Sequence, residues 1–396
     1  MNKNFLIFII SSALTLLSVE IFYIAIPLTV LALGYSAVQT SWCTFAFFLP
    51  VILVKIFISP IIENKEKKLL LLNSEIFRGL IIFIFIVTLF LMKGSNSLIW
   101  FIIPISFLFG LFTTLTEITE PAALKSLLTG KDAAPIISKY EIRTRGVQLL
   151  APTLCGILIS FDLSAPYLLA FLISFLSILL LYQLNLSMPY GNSNASVNLI
   201  KSISEAAIWI KENKFFLRMV MLTAINNFLH PILYLTIIYQ LSFNNVGPDI
   251  TGYILSGLGV GGIIGSIISN SLSKKLSFSQ LVIGVNILRI FVFAGFIFFP
   301  TAWGYFVFFV FKAILGGVWN VCYNVYTIQE MPHAYVARIS GLSGLIIKIF
   351  TAIASLLAGY FIKYLGVNNV LYFLVLLTVG MFLFTLNIKK YAINKD

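Results

Sequence analysis

Few residues in this sequence have the chemistry to move a proton or hold a charged molecule, and most of them interrupt long apolar runs. Glu20 has no charged neighbour within fourteen residues on either side. A carboxylate so isolated in an apolar run is costly and usually functional, and it could take up and release a proton. His230 follows it by 210 residues. Its imidazole titrates near neutral pH and could share the proton task, and Pro231 beside it can loosen the local helix. Lys312 stands about ten residues inside its own run, too deep for easy snorkelling to water. It could bind an anionic group, or pair with Glu20 or another acid. Asn226, Asn227, Asn320, Asn324 and Gln148 add polar atoms that either a cavity or helix packing could use. Phe22, Tyr23, Trp42, Trp319, Tyr323 and Tyr326 are candidate walls for an apolar ligand.

A second set of charges lies nearer the ends of the runs. Glu117 and Glu120 are one helical turn apart, and Glu141, Arg143 and Arg145 follow in the next run. Together they have the composition of a gate network, with the arginines placed to pair with the acids. Glu75 and Arg78 share a helix face and can neutralise each other. Upstream, Glu63 precedes Lys67 and Lys68. An acid there can cap the positive end of a facing helix, and the lysines can hold lipid headgroups or a carboxylate. Glu63, Lys67, Lys68, Glu75 and Arg78 are therefore expected to form a conformational latch.

The elements that must position these groups are membrane spans. The chain has 396 residues, of which 60% are apolar and 10% charged, and its mean hydropathy is +1.02. A bilayer core of about 30 Å takes roughly 20 apolar residues in a helix, and only helices or closed barrels satisfy their backbone there. The runs do not alternate in polarity as barrel strands do. About twelve spans are expected, at 5–32, 38–61, 69–92, 98–120, 139–161, 164–187, 215–241, 250–272, 278–300, 302–327, 339–364 and 367–389. The expected organisation is an N-terminal six-helix bundle over 1–187, a cytoplasmic linker over 188–214, and a C-terminal six-helix bundle over 215–396.

The net charge of +12 follows the same plan. Lysines and arginines crowd alternate connections and the termini, which places both termini in the cytoplasm by the positive-inside rule. This distribution explains the charge without nucleic acid. In the linker, Leu199, Ile203, Ala207 and Ile210 recur at helical spacing, predicting a short interfacial helix. Asn194-Ala195-Ser196 is a chance sequon on that side. Cys43, Cys155 and Cys322 lie in apolar runs and read as packing residues. Marks recur about 210 residues apart: Lys67-Lys68 with Lys274-Lys275, and Glu120-Pro121 with Glu330-Met331-Pro332. Such repeats characterise secondary transporters, whose substrate site lies between the halves.

The stretch from Pro50 to Leu80, with Glu63, Lys67-Lys68, Glu75 and Arg78, resembles the loop between spans two and three of the major facilitator superfamily. It looks most like the branch of macrolide-efflux proteins and the enterobactin exporter, with Ser59 where the pattern prefers glycine. Ala151-Pro152-Thr153-Leu154-Cys155-Gly156 is similar to the antiporter motif of the family's fifth span, with Ala151, Pro152 and Gly156 carrying the match. The resemblance implies two pseudo-symmetric six-helix bundles that rock about a central cavity, driven by an ion gradient and without a cofactor.

Other chemistries find no support. Gly257-Leu258-Gly259-Val260-Gly261-Gly262 fits a dinucleotide fingerprint, but it lies in an apolar run with no strand before it. Gly257, Gly261 and Gly265 suit close helix packing instead. There is no Walker A sequence, metal box or nucleophile elbow, so neither an enzyme nor an ATP-driven pump is expected. The expectation is a monomeric multi-pass antiporter in a bacterial cytoplasmic membrane, expelling an amphipathic drug or siderophore against proton entry. Export of a self-made peptide antibiotic, uptake, and a transporter-like scaffold or sensor are the alternatives.

Overall fold

The computed structural model describes residues 3–58, 65–127, 133–184, 199–331 and 336–386. Glu63, the turn-forming stretch 188–194 and the side chains of Glu141 and Tyr326 lie outside the described residues. Among the described residues all regular structure is helical. The helices are α1 (Lys3–Ala32), α2 (Ala37–Leu53), α3 (Lys67–Leu91), α4 (Ile99–Leu127), α5 (Ala133–Phe161), α6 (Ala165–Gln183), α7 (Leu199–Glu212), α8 (Lys214–Phe243), α9 (Pro248–Lys275), α10 (Phe278–Phe298), α11 (Ala302–Glu330), α12 (Val336–Leu365) and α13 (Val367–Leu386). All but α7 contain a stretch long and apolar enough to cross a membrane, so the chain has twelve candidate spans.

The ends have local causes. Ser36 and Gln39 form a capping box on α2, and Ser277 and Gln280 form one on α10. Gly366 joins α12 to α13 at φ +77°, a left-handed conformation that glycine adopts without penalty. Some helices outrun the apolar stretch that announced them. α5 begins at Ala133, ahead of the expected 139, and α4 continues through Pro121 to Leu127. Backbone hydrogen bonding carries a helix past the point where its side chains turn polar. α2 instead gives way at Val54–Ile58 to one π-helical turn.

The chain folds as two compact units, residues 1–194 with 241–256, and residues 195–240 with 257–396. In the first unit α1 packs on α2, α5 and α6, α4 on α2 and α3, and α3 on α6. Phe22 stacks on Phe109 with centroids 3.9 Å apart and meets Phe85 and Tyr167 edge-on. The sequence marks Phe22 as a cavity wall, but its surface is fully covered. It packs the core because three helices bring rings to the same level.

In the second unit α10 packs on α11 and α13, and α12 on α7 and α13. α9 meets α11 along its glycines. A Cβ on Gly257, Gly261 or Gly265 would collide with the carbonyl oxygen of Phe306, Val310 or Ile314 respectively, so glycine sets this close approach. α7 buries Ala206 and Ile210 against Phe216, Val220, Met331 and Ile339. Ala207, expected on the buried face, is exposed. Trp209 packs on Phe216 with centroids 5.2 Å apart, and Ala206 is buried in place of Ala207.

Candidate functional site

Polar side chains gather at one place in each unit. In the first unit three helices present small or polar residues at helical spacing: Ser11, Thr15 and Ser18 on α1, Glu75 and Arg78 on α3, and Ser174 and Ser177 on α6. Glu75 is the hub. Its Oε2 accepts from Thr15 Oγ1 at 2.8 Å and pairs with the Arg78 guanidinium, while Oε1 accepts from Ser174 Oγ. Ser177 Oγ lies 2.8 Å from Thr15 Oγ1 and 3.1 Å from the Ser11 carbonyl, and Ser18 donates to the Ala170 carbonyl at 2.9 Å. Glu75 and Arg78 are each 1% exposed. The pair is held by hydroxyls inside the unit, away from Lys67 and Lys68, which are half-buried at the start of α3. Lys68 Nζ donates to the Tyr182 carbonyl at 3.0 Å.

A second ion pair, between Arg143 of α5 and Glu120 of α4, lies close by. Arg143 also donates to the Ser12 carbonyl at 3.0 Å and stacks 4.1 Å over the Tyr140 ring. Arg145 turns to Gln148, donating to its Oε1 at 3.1 Å, and Glu117 is exposed. Of the expected gate residues, the structure thus brings together Glu120 and Arg143. A cavity of about 10 Å³ separates the two carboxylates, with Ser11, Ser12, Thr15 and Thr116 in its wall beside Glu75 and Glu120. That volume is on the scale of one water molecule.

Also in this unit, Ala151, Pro152 and Gly156 are buried on α5. A Cβ on Gly156 would fall 2.7 Å from the Gly252 Cα, and one on Gly252 would fall 2.7 Å from the Gly156 Cα. Glycine is required on both sides of that close approach. Glu20 is half-buried on α1, and Tyr23, also half-buried, packs against Phe47 and Phe48.

The polar groups of the second unit meet where α8, α10 and α11 come together. Lys312 Nζ lies 2.8 Å from His230 Nδ1. Two turns away on the same helices, Trp319 Nε1 donates to Thr223 Oγ1 at 3.0 Å. Trp319 is fully buried, so this indole is part of the packing; the cavity-wall role expected of it would need an exposed face. Arg289 of α10 is 3% exposed, donates to Asn286 Oδ1 at 2.6 Å and lies 5.6 Å from the centre of the Trp319 ring. Asn227 donates to the Thr223 carbonyl at 2.9 Å, and Asn226 is half-buried beside it. Asn320 and Asn324 are exposed on α11, and Tyr323 is half-buried.

Sequence reasoning passes over Arg289, although a guanidinium within an apolar run is signal enough to find it. It also passes over Thr15, Ser174 and Ser177. Hydroxyls are common in spans, and nothing local distinguishes those that reach a carboxylate.

No curated protein matches the chain by sequence. Among solved structures, a mutant of the nucleoside transporter NupG superposes with a TM-score of 0.77 at 14% identity, covering 98% of this chain and 100% of that one. A bacterial homologue of the iron transporter ferroportin gives 0.73 at 15% identity, covering 97% and 98%. A D-xylose–proton symporter gives 0.70 at 12% identity, covering 96% and 97%. These likenesses establish the fold. The sequence itself matches the Major Facilitator Superfamily over residues 8–349. With twelve candidate spans in that fold, the chain belongs to the Major Facilitator Superfamily and is a multi-pass transporter of the secondary type.

Proposed function

We propose that this transporter expels an amphipathic small molecule, a drug such as a macrolide or a siderophore, by alternating access in exchange for protons. The observation that carries the proposal is the 2.8 Å contact between Lys312 and His230 in the interior of two spans. Two bases so placed share one hydrogen, and any movement that parts them changes which of them binds a proton. Glu20, half-buried on α1, is the proposed proton carrier of the other half. The similarity of Ala151, Pro152 and Gly156 to the antiporter motif supports the outward direction. The distribution of lysine and arginine supports a bacterial cytoplasmic membrane with both termini in the cytoplasm.

The test is proton flux in proteoliposomes of the purified chain, driven by an imposed gradient of erythromycin or enterobactin. Flux coupled to the gradient is expected, with loss in Glu20→Gln and in His230→Phe. Substrate movement with no proton flux would remove the coupling. Equal flux in Glu20→Gln would remove Glu20 from it. Proton-driven accumulation in the opposite direction would make the chain an uptake permease.

A further inference from the structure

The second unit concentrates positive charge within its spans, while its carboxylates lie outside them. Arg218, Arg289, Lys312 and Lys348 all lie inside span helices. Between Lys214 and Leu386 the sequence holds two carboxylates, Asp249 and Glu330. Asp249 belongs to the first unit. Glu330 ends α11, about 27 Å of helix beyond Lys312 and about 16 Å beyond Trp319 at 1.5 Å per residue. Glu205 and Glu212 of the same unit lie on α7, which is not a span, so neither Arg289 nor Lys312 has a carboxylate of its own unit within the spans. Among the described residues neither forms an ion pair.

Their polar neighbours are an amide, an indole face and an imidazole. Arg289 is held by Asn286 and Trp319 and keeps its charge in any surroundings. Trp319, its ring partner, stands two turns along α11 from Lys312. When Lys312 is an ammonium, the 2.8 Å contact requires His230 Nδ1 to accept through its lone pair. The imidazole then orients the ammonium without neutralising it. Two cations on neighbouring spans, held by neutral groups, leave their counter-charge to a ligand. Lys312 is half-buried and can touch a ligand, whereas Arg289 is covered and acts from behind.

We propose that Lys312, backed by Arg289, binds the anionic group, a carboxylate or phosphate, of an amphipathic ligand at mid-membrane depth. This rests on the reading of the chain as a transporter of amphipathic molecules and names the charge of its cargo. Such a group could belong to a transported molecule or to an anionic lipid. Depth favours the first: Lys312 is about 15 Å into α11, whereas lipid headgroups lie at the faces of the bilayer core.

The test uses the full-length chain in nanodiscs of phosphatidylcholine and a matched pair of probes, dansyl-leucine and dansyl-leucinamide, read by fluorescence. The carboxylate should bind at least tenfold tighter than the amide. Lys312→Gln should abolish that preference, Lys312→Arg should keep it, and Arg289→Gln should weaken it severalfold. Thermal unfolding of each variant checks that it is folded. Equal binding of the two probes, failure of the carboxylate to bind, or an unchanged preference in Lys312→Gln would overturn the proposal. So would loss of the preference when phosphatidylglycerol is added, which would make the place a lipid site. Because binding is read without transport, a preference seen without any proton flux would sink the exchange mechanism and leave the anion site standing.

Discussion

Lys312 and His230 meet at 2.8 Å, seven residues from the place where Trp319 and Thr223 meet at 3.0 Å. The steps run forward along α8 and backward along α11, so the helices are antiparallel and the two contacts are rungs about 10 Å apart. One rung is an ordinary hydrogen bond between neutral groups. The other joins two bases and includes no acid. The first can hold the helices in register while the second responds to protons and ligands.

That difference predicts a trade between stability and function. Lys312→Met removes a charge lacking a counter-charge and shortens the side chain by only one heavy atom. The variant should be no less stable than the parent, since the half-buried ammonium has no ion pair to lose, and should lose coupled transport. Thermal unfolding in detergent alongside proton flux in proteoliposomes gives both readings. A lower melting temperature with intact flux would contradict the account.

Glu75 and Arg78 should behave in the opposite way. Arg78→Met leaves the Glu75 carboxylate buried with only hydroxyls around it, at a cost of about 3–5 kcal/mol. Neutralising the acid as well, in Glu75→Gln with Arg78→Met, should recover most of that loss. A double-mutant cycle by thermal unfolding checks it, and simple additivity would show that the pair is not coupled.

The glycine seam gives a steric test. Gly261→Ala should destabilise by about 1–3 kcal/mol, because the new methyl meets the Val310 backbone and Ala313. Gly380→Ala on α13 meets nothing within 4 Å and should be neutral or stabilising by up to about 1 kcal/mol through helix propensity. Equal effects at the two sites would mean that close approach of α9 and α11 is not what Gly261 serves.

On α7, packing should outweigh charge. Ile210→Ala removes a side chain that is 4% exposed and should free the helix at a cost of about 2–4 kcal/mol. The ion pair between Arg338 and Glu205 has side chains 40% and 36% exposed, so Glu205→Ala should cost less than about 1 kcal/mol. Hydrogen exchange over residues 204–212 reads the local effect, which should rise sharply in the first variant and little in the second.

How far the sequence could be read differs from one residue to the next. The i,i+3 spacing of Glu75 and Arg78 puts both on one face of α3, but their hydroxyl partners come from α1 and α6, 60 to 99 residues away. Lys312 and His230 each stand out as polar residues in apolar runs, yet nothing local says that they touch. Arg289 carried its own signal, and its meaning lay in the missing acid around it. On α7 the apolar spacing announces a helix, while the cluster it packs against, with Phe216 and Val220 of α8 and Ile339 of α12, takes Ala206 in place of Ala207.

By itself the sequence determined the spans, their number and the family. A lipid environment demands an unbroken apolar run and a hydrogen-bonded backbone for each crossing, and that demand is local enough to be written residue by residue. Only the tertiary structure decided which polar groups share a partner: Glu75 with three hydroxyl- or guanidinium-bearing residues, Glu120 with Arg143, Lys312 with a base and Arg289 with a ring. Those choices depend on how helices are rotated about their axes, and rotation is set by packing against neighbours distant in the chain.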